Sequence, residues 1–305
     1  MKATRDGFGD QLLESAKRNK KIIGLGADLG KATRIDKFAE KYPKRFFECG
    51  IAENNMIGIA SGLAAEGFKP FITSFSAFLT GKYDTIRCSI AYSNEPVIIV
   101  GSHGGLAIGR DGVTQMGLED VAIMRALPNM TIFNPGSYIE ARAITKYLCE
   151  ENLKGPHYLR IGRQPIKEIF DENYYNFILD NGICIKNGDK GIVFTTGCML
   201  PNVIEATKKL NVRVIHFPVL KPFPKYIITH YAEYYDKIIT VEDHSIIGGL
   251  GSIVAEVLAE SEYSSRLLRI GLQDQFPESG SPDDLYDKYG LSIEKIRKKV
   301  SEFSN

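Results

Sequence analysis

No run of ~18 apolar residues occurs in the 305-residue sequence, so no segment reads as a helix long enough to cross a bilayer. The opening Met1-Lys2-Ala3-Thr4-Arg5-Asp6 lacks the apolar core of a secretion signal. Charge of one sign is equally scarce: 38 Lys and Arg stand against 37 Asp and Glu, a net +1. That balance gives no electrostatic case for nucleic acid or an anionic membrane as partner. The five cysteines (Cys49, Cys88, Cys149, Cys184, Cys198) are scattered and form no CxxC pair. This usage predicts reduced thiols in a cytoplasmic protein, several of them core filler, and no metal site. Walker loops, GxGxxG fingerprints and zinc-ligand spacings are also missing. What remains is a chain with 44% apolar and 25% charged residues, long enough for two soluble globular domains.

Apolar, β-branched runs alternate with helical patterns throughout. Strands are expected near 21–26, 45–49, 70–74, 96–102, 130–134 and 158–161, with helices such as 53–66 between them. There Ile57, Ala60, Ser61 and Ala64 fall on one face. Val97-Ile98-Ile99-Val100 is apolar on both sides, as a parallel strand covered by helices on each face must be. The alternation predicts a doubly wound α/β domain over 1–168. The rhythm breaks after Arg163, and 169–182 reads as a linker. A second, smaller α/β domain is expected over 183–305, with strands near 192–196, 212–217, 237–241 and 267–271 and helices at 201–210, 249–259 and 292–300.

Three stretches could carry chemistry. In Glu48-Cys49-Gly50-Ile51-Ala52-Glu53, the last residue opens an otherwise apolar helix, in the positive end of its field. By position alone Glu53 is more simply a carboxylate that offsets the helix dipole than a working acid. Phe75 and Phe78 leave a strand and enter a helix, where they serve either as core or as a face for a flat ring. Gly101-Ser102-His103-Gly104-Gly105 and Gly109-Arg110-Asp111-Gly112-Val113-Thr114-Gln115 follow a strongly apolar strand, where α/β sheets place ligand crevices. Gly248-Gly249-Leu250-Gly251 has a faint likeness to a phosphate turn.

Taken in order, Ala3-Thr4-Arg5, Gly26-Ala27-Asp28-Leu29, Gly50-Ile51-Ala52-Glu53, Ser102-His103, Asp111-Gly112-Val113-Thr114-Gln115, Leu118-Glu119-Asp120, Arg160 to Arg163 and Val241-Glu242-Asp243-His244 resemble the C-terminal half of transketolases over almost the whole chain. The resemblance implies a pyrimidine-binding domain followed by the small C-terminal domain, and thiamine diphosphate as cofactor. It implies that Glu53 hydrogen-bonds N1′ of the aminopyrimidine, a proton-transfer role that suits a positioned carboxylate. Phe75 matches the residue that stacks on the pyrimidine, with Phe78 beside it, and Ile51 joins this cofactor set. Asp28 matches a residue near the cofactor at a subunit interface. Asp111 and Gln115 match groups that bind the hydroxyls at the sugar's reacting end. Arg5, His103 and Arg163 match the clamp on its terminal anion, where an arginine pair suits a tetrahedral group.

Two positions depart from the family pattern. Ala32 stands where a phosphate-contacting Ser is usual, and Arg110 where an acidic residue is common. Both point to a substrate with an altered terminus, such as a sulfonate or a differently branched phosphosugar. The Gly-Asp-Gly…Asn motif that holds the diphosphate through Mg2+ or Ca2+ is not in the chain; Asn187-Gly188-Asp189-Lys190 lacks the second glycine. A separate N-terminal subunit is therefore expected to supply the diphosphate domain and its metal, in an α2β2 assembly. The rival readings are the β subunit of a 2-oxoacid dehydrogenase E1 component, a deoxyxylulose-phosphate synthase half, and a degenerate regulatory subunit.

Overall fold

The computed structural model describes residues 1–304. Parallel strands β1 (Ile22–Gly26), β2 (Phe46–Glu48), β3 (Lys69–Phe75), β4 (Ile98–Ser102), β5 (Thr131–Phe133) and β6 (His157–Ile161) form most of one sheet. β1, β4 and β6 are buried at every position, so their near-continuous Ile, Val and Leu content is what two covering layers of helix require. The second sheet holds β7 (Ile183–Lys186), β8 (Ile192–Thr195) and β9 (Arg213–His216). It is completed by β11 (Lys237–Ser245) and β12 (Arg266–Leu272), in the order β12-β11-β8-β9-β7.

One strand crosses over. β10 (Val219–Lys221) follows β9 in sequence yet pairs antiparallel with β5, so the first sheet runs β10-β5-β6-β4-β3-β1-β2. Its Lys221 Nζ donates to the carbonyls of Arg125 and Leu127, at the C-terminal end of the helix Asp120–Arg125. The sequence shows β10 only as a short apolar step beside two prolines, too brief to carry a period. The segment 169–182 forms no helix or strand, but it is not loose. Phe177 packs edge-on against Tyr147, and Tyr175 donates its hydroxyl to Glu140, whose other oxygen pairs with His216 of β9 at 2.7 Å. This buried cluster ties the segment and both sheets together.

Candidate active site

The site gathers at the C-terminal ends of β1, β2, β3 and β4, the edge where parallel α/β sheets open a crevice. After β1 the chain turns through Asp28 at φ +58°, and its N–H donates to Glu48 Oε1 at 2.8 Å. The same oxygen accepts the Gly50 N–H at 2.9 Å, so one carboxylate ties two turns together. Gly50 lies at φ +67°, a backbone region that only glycine enters cheaply. It delivers Glu53 to the first position of the helix Glu53–Ala65. Met56, Ile57, Ala60 and Ala64 bury one face of that helix, and Ser61 donates to the Ser89 carbonyl. Glu53 itself is 7% exposed, and its Oε1 accepts from Ser74 Oγ of β3 at 3.3 Å.

Glu53 borders a cleft of about 410 Å3 together with Asp28, Leu29, Ile51, Ala77 and Phe78. Ile51 is 84% exposed at this cleft, a large apolar side chain left bare. Phe75 is not part of the lining. It is buried behind, stacked on Phe78 with ring centroids 5.4 Å apart and tilted against His103 at 3.8 Å. The ring presented to the cleft is therefore Phe78, and Phe75 supports it. The resemblance implied the pyrimidine stack for Phe75 with Phe78 beside it; of the two, it is Phe78 that borders the cleft.

The cationic groups collect around His103. Its backbone sits at φ +62° and its Nδ1 lies 2.8 Å from Ser102 Oγ. Burial, reinforced by the charges of Arg5, Arg163 and Arg34, pushes its pKa down to about 3. His103 is thus a neutral hydrogen-bonding group among three arginines. Arg5 donates Nη1 to the Ala32 carbonyl at 2.9 Å, while its buried Nε has no partner among the described residues. Arg163 donates Nη1 to the Ile108 carbonyl and to Asp111 Oδ2 at 2.8 Å. That ion pair is more than one-third exposed on both sides, so it stabilises little and exchanges readily. Gln115 ends the short turn Val113–Gln115 and is half-buried. Arg34, Glu48 and Ser74 were not singled out in the sequence. Ser74 had a signal, since it directly precedes Phe75 at the C-terminal end of β3, whereas Arg34 and Glu48 acquire a role only through contacts across turns.

The turn Gly248-Gly249-Leu250-Gly251 is filled from within the chain. Glu242 of β11 accepts the Leu250 and Gly251 N–H groups at 2.7 and 2.8 Å, filling the start of the helix Leu250–Ala259 with the chain's own carboxylate. The faint phosphate-turn reading is thereby corrected.

Residues 1–168 match the family described as transketolase, pyrimidine binding domain, and residues 181–296 match transketolase, C-terminal domain. The chain belongs to the transketolase family. It is similar to a transketolase C-terminal section of Methanocaldococcus jannaschii, 38% identical over 99% of this chain and 96% of that one. It is 36% identical to a 6-deoxy-6-sulfo-D-fructose transketolase subunit of a Clostridium strain, over 98% of this chain and 93% of that one. A subunit of the apulose-4-phosphate transketolase of Phocaeicola vulgatus is 33% identical, over 99% of this chain and 98% of that one. Among solved structures, a split gene transketolase described as an inactive beta4 tetramer superposes with a TM-score of 0.90 at 37% identity, covering 100% of this chain and 99% of that one. The chain is thus the C-terminal subunit of a split transketolase, a transferase component that works with an N-terminal partner.

Transketolases depend on thiamine diphosphate, and the residues present fit one end of it. A buried carboxylate at a helix start, beside an aromatic face in a cleft of mainly apolar side chains, suits an aminopyrimidine. The diphosphate end finds no such match. Among the described residues no cluster of His, Cys, Asp or Glu is arranged to hold a metal ion.

Proposed function

We propose that this subunit transfers a two-carbon ketol unit from an anionic ketose to an aldose, with Glu53 as its catalytic residue. The observation that carries the reading is the placement of Glu53, buried at the head of its helix and bordering the Phe78 cleft. When bound, thiamine diphosphate supplies the electron sink for breaking the bond beside the ketose carbonyl. Glu53 hydrogen-bonds the pyrimidine at N1′ and shares a proton with that atom; Ser74 engages one carboxylate oxygen and leaves the other for the ring. Phe78 packs on the pyrimidine face, and Asp28 and Ile51 lie where the partner closes the cleft. The partner subunit holds the diphosphate through Mg2+ or Ca2+, in an α2β2 assembly. The exposed Ile51 and the bare helix glycines Gly58 and Gly62, with no atom near their Cβ positions, supply surface for that partner.

At the sugar, Asp111 and Gln115 bind hydroxyls of the reacting end, while Arg5, His103 and Arg163 hold the terminal anion; Arg34, itself paired with Asp6 at 2.7 Å, adds only its charge nearby. The unpartnered Arg5 Nε supports an anion as its missing acceptor. Ala32 brings only a backbone carbonyl to this end, which favours a sulfonate or branched sugar over the usual ketose phosphate.

The test is reconstitution with the N-terminal subunit. The pair is expected to turn over with thiamine diphosphate and Mg2+, and Glu53→Gln to lower kcat by about 10²–10⁴-fold. Full turnover by this chain alone overturns the split arrangement, and unchanged activity in Glu53→Gln supports a merely regulatory subunit. A strong preference for xylulose 5-phosphate over 6-deoxy-6-sulfofructose and apulose 4-phosphate sinks the altered-terminus reading.

A further inference from the structure

The segment that carries Asp111 and Gln115 is soft by composition. Gly105, Gly109 and Gly112 lie at φ +89°, +78° and +82°: Gly105 precedes the short turn Leu106–Asp111, Gly109 lies inside it, and Gly112 separates it from the turn Val113–Gln115. Glycine-rich backbone of this kind loses much entropy on ordering and needs outside contacts to hold one shape.

Those contacts come from the second half of the chain. Asp243, on β11 and 3% exposed, accepts the Leu106 N–H through Oδ1 at 2.9 Å. Its Oδ2 accepts the Tyr286 hydroxyl at 2.7 Å. Arg160 of β6, in the first sheet, bridges the loop and β11 by donating to the Gly117 and Asp243 carbonyls, both at 2.9 Å, and Ser245 N–H of β11 donates to the Leu118 carbonyl at 2.8 Å. The loop backbone approaches the Asp243 carboxylate so closely that any Cβ at Gly105 would collide with it. Further along, Cβ positions at Gly109 and Gly112 would meet the Gly280 carbonyl at 3.1 Å and Ser279 Oγ at 2.5 Å. The loop is therefore pressed against the second half at its start and along its length.

We propose that Asp243, oriented by Tyr286, is a positioning residue for sugar binding: it acts through the Leu106 amide to hold Asp111 and Gln115 in place without touching the sugar. This rests on the reading of Asp111 and Gln115 given above. The domain outside the pyrimidine site then sets sugar affinity, while the Glu53 cleft, which shares no lining residue with this contact, is left unaffected. Asp243 suits the task because it satisfies a loop amide and a tyrosine hydroxyl at once in a dry setting, where leaving either unpaired is costly.

The test uses the subunit reconstituted with its N-terminal partner. In Asp243→Ala the KM for donor and acceptor sugars is expected to rise about tenfold, while kcat and the KM for thiamine diphosphate move less than about threefold. Asp243→Asn, which keeps an acceptor for Leu106 and a polar group for Tyr286, is expected to recover most of the loss. Should Asp243→Ala fail to fold, Tyr286→Phe removes only the hydroxyl and is expected to raise sugar KM about threefold with the cofactor KM unchanged. Parallel loss of sugar and cofactor affinity overturns the proposal, because it marks general loosening. So do sugar KM values that stay at wild type in Asp243→Ala and Tyr286→Phe while Asp111→Ala raises them. If Asp111→Ala and Gln115→Ala leave sugar kinetics untouched, the sugar-binding reading of the loop fails first and this inference goes with it.

Discussion

Phe75 and Phe78 share a stacked contact yet differ in surroundings, and that difference is measurable. Phe75 is enclosed by Phe78 and His103, so truncating it opens a cavity in the packed layer behind the cleft. Phe75→Ala is expected to cost about 3–5 kcal/mol of unfolding free energy. Phe78 lines the cleft and has less to lose in the free subunit. Phe78→Ala is expected to raise the KM for thiamine diphosphate about tenfold while moving stability by less than about 1 kcal/mol. Denaturant melts of the subunit and cofactor titrations of the reconstituted enzyme separate the two; the opposite pattern would put the pyrimidine on Phe75. The residue spacing named this aromatic pair without ordering it; the order came only from the family resemblance, since spacing does not say which ring faces outward.

At the level of elements, the helix Leu250–Ala259 shows how a motif can mislead. In Gly248-Gly249-Leu250-Gly251 three glycines leave the room that an anion would need, and the helix start offers free amides. The anion is supplied internally by Glu242, which is 1% exposed and whose carboxyl burial pushes up to about 7 against the pull of the Gly251 and Leu250 amides. Gly249 is small because a Cβ there would collide with that carboxylate. Glu242→Ala strands the Leu250 and Gly251 N–H groups in a dry site and is expected to destabilise the chain by about 2–4 kcal/mol. Glu242→Gln keeps one acceptor and is expected to cost less. Equal melting curves for Glu242→Ala and the wild type would show that the helix start needs no internal cap.

Across the whole molecule, buried histidines make the fold sensitive to acid. Burial is the leading cause that lowers His157 to about 4, His244 to about 4 and His103 to about 3, all below the ordinary 6.5. Each is neutral when folded and takes up its proton only on unfolding, so the stability it lends is present above about pH 6.5 and is lost as pH falls towards the folded value. His157, at the start of β6 and stacked against Phe133, is far enough from the site to be replaced cleanly. Between about pH 7 and pH 5 the wild type is expected to lose on the order of 2 kcal/mol more unfolding free energy than His157→Gln. Indistinguishable pH profiles would mean that the ring is reached by solvent in the folded chain.

Alternating apolar runs and helical faces determined the α/β character and most of the strands, because a strand buried on both sides must be apolar throughout, whatever its neighbours. Glu53 at the head of its helix and the polar groups after β4 were legible for the same reason: both follow from local sequence and the direction of the chain. Only the tertiary structure decided that β10 completes the first sheet, that Arg34 lies near enough for its charge to act on Arg5 and His103, and that Asp243 grips the loop bearing Asp111. Each of those is a contact between residues far apart in sequence, and its free energy comes from desolvation and geometry that arise only once both partners are packed in place.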